Sequence, residues 1–410
     1  MFAENVKLQT HVHHIRTNLH DGRIRRRLAL NGLALVLYSL SVVYVSSRVW
    51  LSVQSVMPVT LFILMVGALA GFLPAFAYAV DQGRVSRPLV RTTAYVGFYW
   101  LAFYIYLLIP VTVIDLVYLL GRLIRGTEPH GLPAVMPINR VMLFGLSVPF
   151  SLMVLLIGTY LARSPRVRTF RIKLDKPFNA GQPLRIAFLS DLHVGSLVSV
   201  TNLKRMTERV NALRPDLILL GGDLIDNSLH LMEKSDFTYQ MSQLKAPYGR
   251  YAVLGNHELV NTSAEEMAVF LDRAGIGLLQ DDVIEVAGLV LAGRNEHQTE
   301  YSGSMDRLTP EALLENTDPD RPLIVMQHQP ADLDFLAGLG ADLALAGHTH
   351  RGQLFPLNLL QKHQYCQTRR YARINQLHSV ISAGYGTWGP PVRIGSRSEI
   401  TLIQLSGRSS

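Results

Sequence analysis

Four long runs without a charged residue crowd the first 165 positions of this 410-residue chain: Leu28 to Ser47, Val49 to Val80, Thr92 to Ile114 and Val141 to Ala162. A bilayer core takes roughly 20 apolar residues to cross as a helix. Inside it, every backbone N–H and C=O must be bonded within the segment. The runs therefore predict four transmembrane helices, at about 28–47, 55–80, 92–114 and 141–162. Pro58 and Pro74 fall near the ends of the second, where a helix tolerates proline best. The first run follows Arg23, Arg25, Arg26 and Arg27 like a signal sequence. It is long, however, lacks a small-x-small cleavage site and precedes three more spans, so an uncleaved helix is expected.

Lys and Arg bias sets orientation. With the N-terminus inside, the inner segments hold 14 basic residues and the outer loops hold Arg48, Arg122, Arg125 and Arg140. This predicts a multi-pass inner-membrane protein whose C-terminal half faces the cytoplasm. Asp115 ends the third run and reads as an interfacial anchor; the sequence shows no paired charges within the spans. Residues 1–23 are polar and contain His11, His13, His14 and His20, either a metal-binding tail or a frayed end.

The net charge of +8 brackets the apolar runs and forms no single basic face. Anionic lipid head groups are the expected partner, and no nucleic acid is expected. A lone cysteine, Cys366, cannot form an intrachain disulfide and reads as a spectator thiol.

After a basic linker at 164–183 the pattern changes. Apolar runs of strand length (184–189, 216–220, 251–254, 323–326, 342–346) alternate with helical spacing, as over 200–213, which indicates α/β architecture. Nearly every run ends in polar residues that can hold a metal: Asp191-Leu-His193, Gly222-Asp223, Gly255-Asn-His-Glu258, His328 and Gly347-His-Thr-His350. Open α/β sheets place ligands beyond the carboxyl ends of their strands. Alternate residues of an extended segment point one way, so Asp191 and His193 are expected to reach one ion together. Each piece alone has a plainer reading. Asp191 could cap a helix, Asp223 and Asn256 could be turn residues, and His328 could be a core histidine.

The ordered series D-x-H, G-D, G-N-H-[DE], H and G-H-x-H resembles the calcineurin-like metallophosphoesterase superfamily, over about residue 184 to the C-terminus. Gly347 to Gln353 and Tyr385 to Arg393 are similar to its membrane-associated branch. That branch includes UDP-2,3-diacylglucosamine pyrophosphatases and transmembrane proteins with a metallophosphoesterase domain. The resemblance implies a four-layer α/β/β/α sandwich over 184–410 and a two-metal site. Asp191, His193 and His350 would bind one ion, Asn256, His328 and His348 the other, and Asp223 would bridge them. His257 would stand beside the leaving group, and Asp226 would fix its tautomer. Arg351 replaces the glycine expected after G-H-T-H and is a candidate substrate contact.

Mixed nitrogen and oxygen donors without thiolate favour Mn, Fe or Zn over a Mg or Ca cage. A metal-bridging hydroxide would then attack phosphorus in line. Arg369, Arg370 and Arg373 could hold a diphosphate or form a solvated charge run, and 361–375 is a candidate lid. His297, His363 and His378 lack the motif spacing and read as surface or core residues. The function expected is a membrane-anchored phosphoesterase that cleaves a phosphodiester or pyrophosphate bond. A lipid- or nucleotide-linked substrate such as UDP-diacylglucosamine would place it in lipid A biosynthesis. The rivals are a broad phosphodiesterase on phospholipid head groups, a receptor with an inactive metal-binding domain, and a transporter with a regulatory domain.

Overall fold

In a computed structural model of the chain, the described residues are 32–33, 36–48, 50, 58–59, 61–62, 87–125, 140–178, 182–195, 200–226, 234–296, 307–356, 358–359 and 370–408. The chain divides into two compact units, 1–78 with 103–152 and 79–102 with 153–410. The N-terminal tail, most of the expected second span, Cys366, His297, His363, Arg369 and most of the candidate lid lie outside the described residues.

Two helices among the described residues, not four, are long and apolar enough to cross a membrane. They are α1 (Arg87–Arg125), apolar over Thr92–Gly121, and α2 (Arg140–Arg163), apolar over Gly145–Arg163. The expected first span is represented by a helical stretch over 36–48. A four-helix bundle is therefore not what the described residues establish.

The first helix also corrects a boundary. The third span was expected to end at Ile114, but α1 runs on for another three turns to Arg125. Asp115 does not terminate it because its charge is met. Arg48 Nε donates to its carboxylate at 2.5 Å and the Tyr44 hydroxyl at 2.8 Å. The apolar segment thus does contain a paired charge, contrary to the reading of the sequence.

The second unit carries two six-stranded sheets. The first has the order β1 (Arg166–Pro177), β12 (Glu399–Arg408), β2 (Leu184–Leu189), β3 (Leu217–Gly221), β4 (Arg250–Val253), β5 (Gly277–Leu278). The second runs β10 (Tyr371–Ile374), β11 (Leu377–Ile381), β9 (Leu343–Ala346), β8 (Leu323–Met326), β7 (Leu289–Gly293), β6 (Asp282–Val286). The strands that feed the motifs are parallel: β2 to β3 to β4 in one sheet, β7 to β8 to β9 in the other.

The expected linker is no linker. Residues 166–177 form β1, paired in parallel with β12. Arginines at 166, 168 and 171 conceal an alternation in which Ile172 and Leu174 face inward. Such charged residues suit an edge strand, where they discourage further pairing.

Ile186, Phe188 and Leu219 of the first sheet meet Leu291, Met326 and Leu345 of the second in one buried cluster between the sheets. The outer face of the first sheet packs on α3 (Val200–Ala212), α4 (Lys234–Ser242) and α6 (Ala264–Arg273), the last following the short α5 (Glu258–Asn261). The outer face of the second packs on α7 (Pro310–Leu314) and α8 (Leu333–Gly338). Helix, sheet, sheet, helix is the layering that sequence resemblance implied. Truncating a buried aromatic such as Phe188 would cost about 3–5 kcal/mol, so this core is what holds the strand ends in register.

Candidate metal centre

The motif residues follow the carboxyl ends of five parallel strands, drawn from both sheets. Asp191 and His193 follow β2, Asp223 follows β3, Asn256 and His257 follow β4, His328 follows β8, and His348 and His350 follow β9. The loops are stitched together by main-chain bonds: Asp191 N to Gly222 O at 2.9 Å, His193 N to Asp223 O at 3.0 Å, Gly347 N to His328 O at 2.9 Å.

Convergence is not achieved by strand alternation, as the sequence led us to expect. Asp191 (φ +53°), His193 (+47°), Asp223 (+51°), His348 (+66°) and His350 (+44°) all occupy the left-handed region. Each such residue costs on the order of 1–3 kcal/mol and persists only where the surroundings dictate it. The close approach of the β3 and β4 loops also demands a glycine, since a Cβ on Gly255 would lie 2.1 Å from Asp223 Oδ1.

Asp191, His193 and His350 form one group of potential ligands, and Asp223, His328 and His348 another. Asp223 lies between the two, with Oδ2 3.1 Å from His328 Nε2 and 3.9 Å from His193 Nε2. His193 Nε2 is 2.9 Å from His350 Nε2, and His348 Nδ1 is 3.2 Å from His328 Nε2. Asp191 also accepts from the Ser190 hydroxyl and, at 2.9 Å, from His348 N.

A third group, His193, Asp226 and His257, is a hydrogen-bonded bracket. Asp226 Oδ1 accepts from Nδ1 of both rings at 2.8 Å. This orients both imidazoles and leaves each Nε2 facing the centre. Arg351 follows His350 directly, with its backbone at φ +50°.

Several features show that the residues fit a cation pair. His328 Nδ1 donates to Gly221 O at 2.8 Å, which directs the Nε2 lone pair at Asp223 Oδ2. A ring nitrogen and a carboxylate oxygen 3.1 Å apart are bridged by a proton on the imidazole or by a cation held between them. Asn256 Oδ1 is buried and has no hydrogen-bond partner, an expensive state for an amide oxygen unless an ion takes it. Carboxylate, imidazole and carboxamide donors without sulfur suit Mn, Fe or Zn.

Titration behaviour agrees. Burial works against charge on His193, yet Asp226 and Asp223 push its pKa up to about 9. His328 is likewise buried and still held well above the usual imidazole value by Asp223. Burial and the neighbouring His328 pull His348 down to about 3. His257 is raised too, with burial opposing and the Asp226 hydrogen bond prevailing.

A family model for calcineurin-like phosphoesterases matches residues 184–352. An uncharacterized metallophosphoesterase of Aquifex aeolicus is 30% identical over 254 residues, which are 60% of this chain and 93% of that protein. The chain belongs to the calcineurin-like phosphoesterase family. Among longer relatives, an uncharacterized metallophosphoesterase of Helicobacter pylori is 32% identical over 249 residues, 59% of this chain and 64% of that one. A transmembrane protein with metallophosphoesterase domain from Bos taurus is 30% identical over 264 residues, 60% of this chain and 58% of that one. The chain therefore spans less than two thirds of these two relatives.

Two residues of this phosphoesterase domain have roles that sequence reasoning missed. Glu258 is buried, and its carboxylate accepts from three backbone groups: Asp223 N (3.0 Å), Gly255 N (2.7 Å) and Ile225 N (2.9 Å). It clasps the β3 loop to the β4 loop, and so Asp223 to Asn256. The available signal was an acid directly after two polar motif residues. Arg393 is fully buried behind His350 and donates to Gly386 O (2.6 Å) and Gly384 O (3.3 Å), with Nη2 3.2 Å from His350 Nδ1. An arginine directly after Pro390-Pro391-Val392 was the hint.

Two members of the basic cluster near the C-terminus, Arg370 and Arg373, are each tied to a carboxylate. Arg370 pairs with Glu399 at 3.1 Å and Arg373 with Asp175 at 3.3 Å. His378 is buried and bonds the Tyr371 hydroxyl at 2.9 Å.

Proposed function

We propose that this chain is a membrane-anchored, metal-dependent phosphoesterase that hydrolyses a phosphodiester or pyrophosphate bond at a two-metal centre. The observation that carries this is Asp223 set between two ligand groups, beside a buried Asn256 oxygen left without a partner. Asp191, His193 and His350 would hold one ion, Asn256, His328 and His348 the second, and Asp223 both. When bound, such a pair supplies Lewis-acid charge for the phosphoryl oxygens and a water activated near neutral pH.

The chain's own residues do the rest. Asp226 accepts from His257 Nδ1 at 2.8 Å and fixes the tautomer, so that Nε2 is the nitrogen presented to substrate. Against the cost of burial, the Asp226 hydrogen bond raises the His257 pKa, which favours the form that carries a proton on Nε2. His257 can then give its Nε2 proton to the oxygen that departs as the P–O bond breaks, a contribution of about 10²–10⁴-fold. Glu258 and Arg393 hold the ligand loops in place.

The substrate reading is a lipid-linked diphosphate of the UDP-diacylglucosamine type, on the inner face of the membrane. Its support is the pair of apolar helices, which would keep the active domain where acylated substrates reside, and the relatives named as transmembrane proteins. The second reading, a phosphodiesterase acting on phospholipid head groups, has the same support. The full chain assayed with Mn²⁺ separates them. Turnover of UDP-diacylglucosamine with loss on Asp223→Asn is expected. Turnover of glycerophosphodiesters alone selects the second reading, and an unchanged rate in Asp223→Asn rejects the site. A phosphatase-fusion scan that places 184–410 outside the cytoplasm would reject the topology.

A further inference from the structure

The second unit contains a cavity of about 440 Å³ that none of the ligand residues lines, although Gly386, which accepts from Arg393 behind His350, forms part of its wall. Its walls come from α1 at Tyr95, from the end of α2 at Arg163, from α3 at Thr201, Arg205 and Arg209, and from the loop at Thr387. The volume falls in the range of small-molecule sites. The charge is one-sided, with three guanidinium groups and no acidic side chain in the lining.

Among the described residues, some nearby basic groups meet a carboxylate and these three do not. Lys204, one residue before Arg205, pairs with Glu208, and Arg168 and Arg370 share Glu399. Arg209 donates to the Pro165 carbonyl, at 3.3 Å. Among the described residues no carboxylate forms an ion pair with Arg163, Arg205 or Arg209. Three like charges around one cavity repel one another, and an anion bound among them removes that cost.

Position identifies the anion's source. Arg163 is the last residue of the apolar helix α2. In the turns before it, Leu156 and Tyr160 are 73% and 62% exposed, and Arg397 stacks over the Tyr160 ring at 5.5 Å. Exposed aliphatic surface, then an aromatic ring, then arginine is the order of side chains across the edge of a bilayer. A ligand whose phosphate enters the cavity could therefore lay its acyl chains along α2.

We propose that this cavity binds the phosphate head group of an anionic phospholipid, at a site separate from the metal centre. The proposal rests on the membrane-anchored reading above. Phosphate chemistry is common to a head group and to free phosphate, and the experiment separates these sources.

The full chain, purified in detergent, is mixed with equal amounts of phosphatidylglycerol and phosphatidylcholine, and retained lipid is counted by native mass spectrometry. The expected result is selective retention of phosphatidylglycerol. Arg205→Gln with Arg209→Gln should weaken it about 25-fold, at roughly fivefold per cationic charge lost. Lys204→Gln removes a charge from the same helix outside the cavity and should retain the lipid; thermal melts confirm that the variants fold. Equal retention of the two lipids, or a double variant that behaves as wild type, overturns the proposal. Displacement of the lipid by millimolar inorganic phosphate overturns the lipid source. Release of the chain from membranes by alkaline carbonate would instead defeat the anchored reading, so the two failures are distinct.

Discussion

Replacing Glu258 by glutamine tests whether the metal centre depends on a clasp that touches no ligand side chain. In the wild type Oε2 accepts from Asp223 N and Gly255 N, and Oε1 accepts from Ile225 N at 2.9 Å. A glutamine oxygen can keep the first pair, but its NH₂ then faces the Ile225 N–H, donor against donor. One buried donor left unmet costs about 1–3 kcal/mol, and the two surviving bonds lose their charge assistance. The expected destabilisation is about 2–5 kcal/mol. Because the clasp fixes the loops that carry Asp223 and Asn256, part of that loss should appear as metal affinity weakened about 10–100-fold. A chelator-competition titration with Mn²⁺ on the detergent-purified chain, with melting curves alongside, measures both quantities. Glu266→Gln is the control. Glu266 closes a capping box with Ser263 at the exposed start of α6, and a glutamine there can still close it, so the change should cost little stability and no metal affinity. A Glu258→Gln variant with wild-type affinity would refute the clasp, whatever its stability.

Asp226→Asn should lower kcat by about 10²–10⁴-fold with KM nearly unchanged, because His257 loses the partner that orients it and raises its pKa; a KM effect alone would contradict this. In the metal-free chain, His193 is raised to about 9, so its stabilisation is complete below pH ~6.5 and is lost as pH climbs toward 9. His348 is depressed to about 3, so it costs no stability above pH ~6.5 and destabilises the fold increasingly as pH falls toward 3. Melting temperature after metal removal should therefore peak near pH 6.5 and fall on both sides; a steady rise to pH 9 would contradict the assignment.

The catalytic half was legible because each motif ends an uninterrupted apolar run. Leu184–Leu189 and Leu323–Met326 form strands at the bounds read from the sequence, and helix α3 covers the periodic stretch after residue 200. What was hidden depended on partners distant in sequence. The alternation in β1 was obscured by its arginines and becomes visible only against β12, more than 200 residues later. Asp115 looked like a helix end until Arg48 was beside it. The motif spacing likewise identified the ligand residues but not how they converge. Left-handed backbone at Asp191, His193 and Asp223 is a property of the packed loops, and Glu258 shows its purpose only when the β3 and β4 loops stand side by side.

The central claim is that one aspartate joins two ion sites. Elemental analysis of the purified full chain after Mn²⁺ loading tests it most directly. Two ions per wild-type chain, falling to one or fewer in Asp223→Ala while Lys204→Gln keeps both, is the result expected from the ligand groups on either side of Asp223. A wild-type chain that binds a single ion, or an Asp223→Ala variant that still holds two, would contradict it.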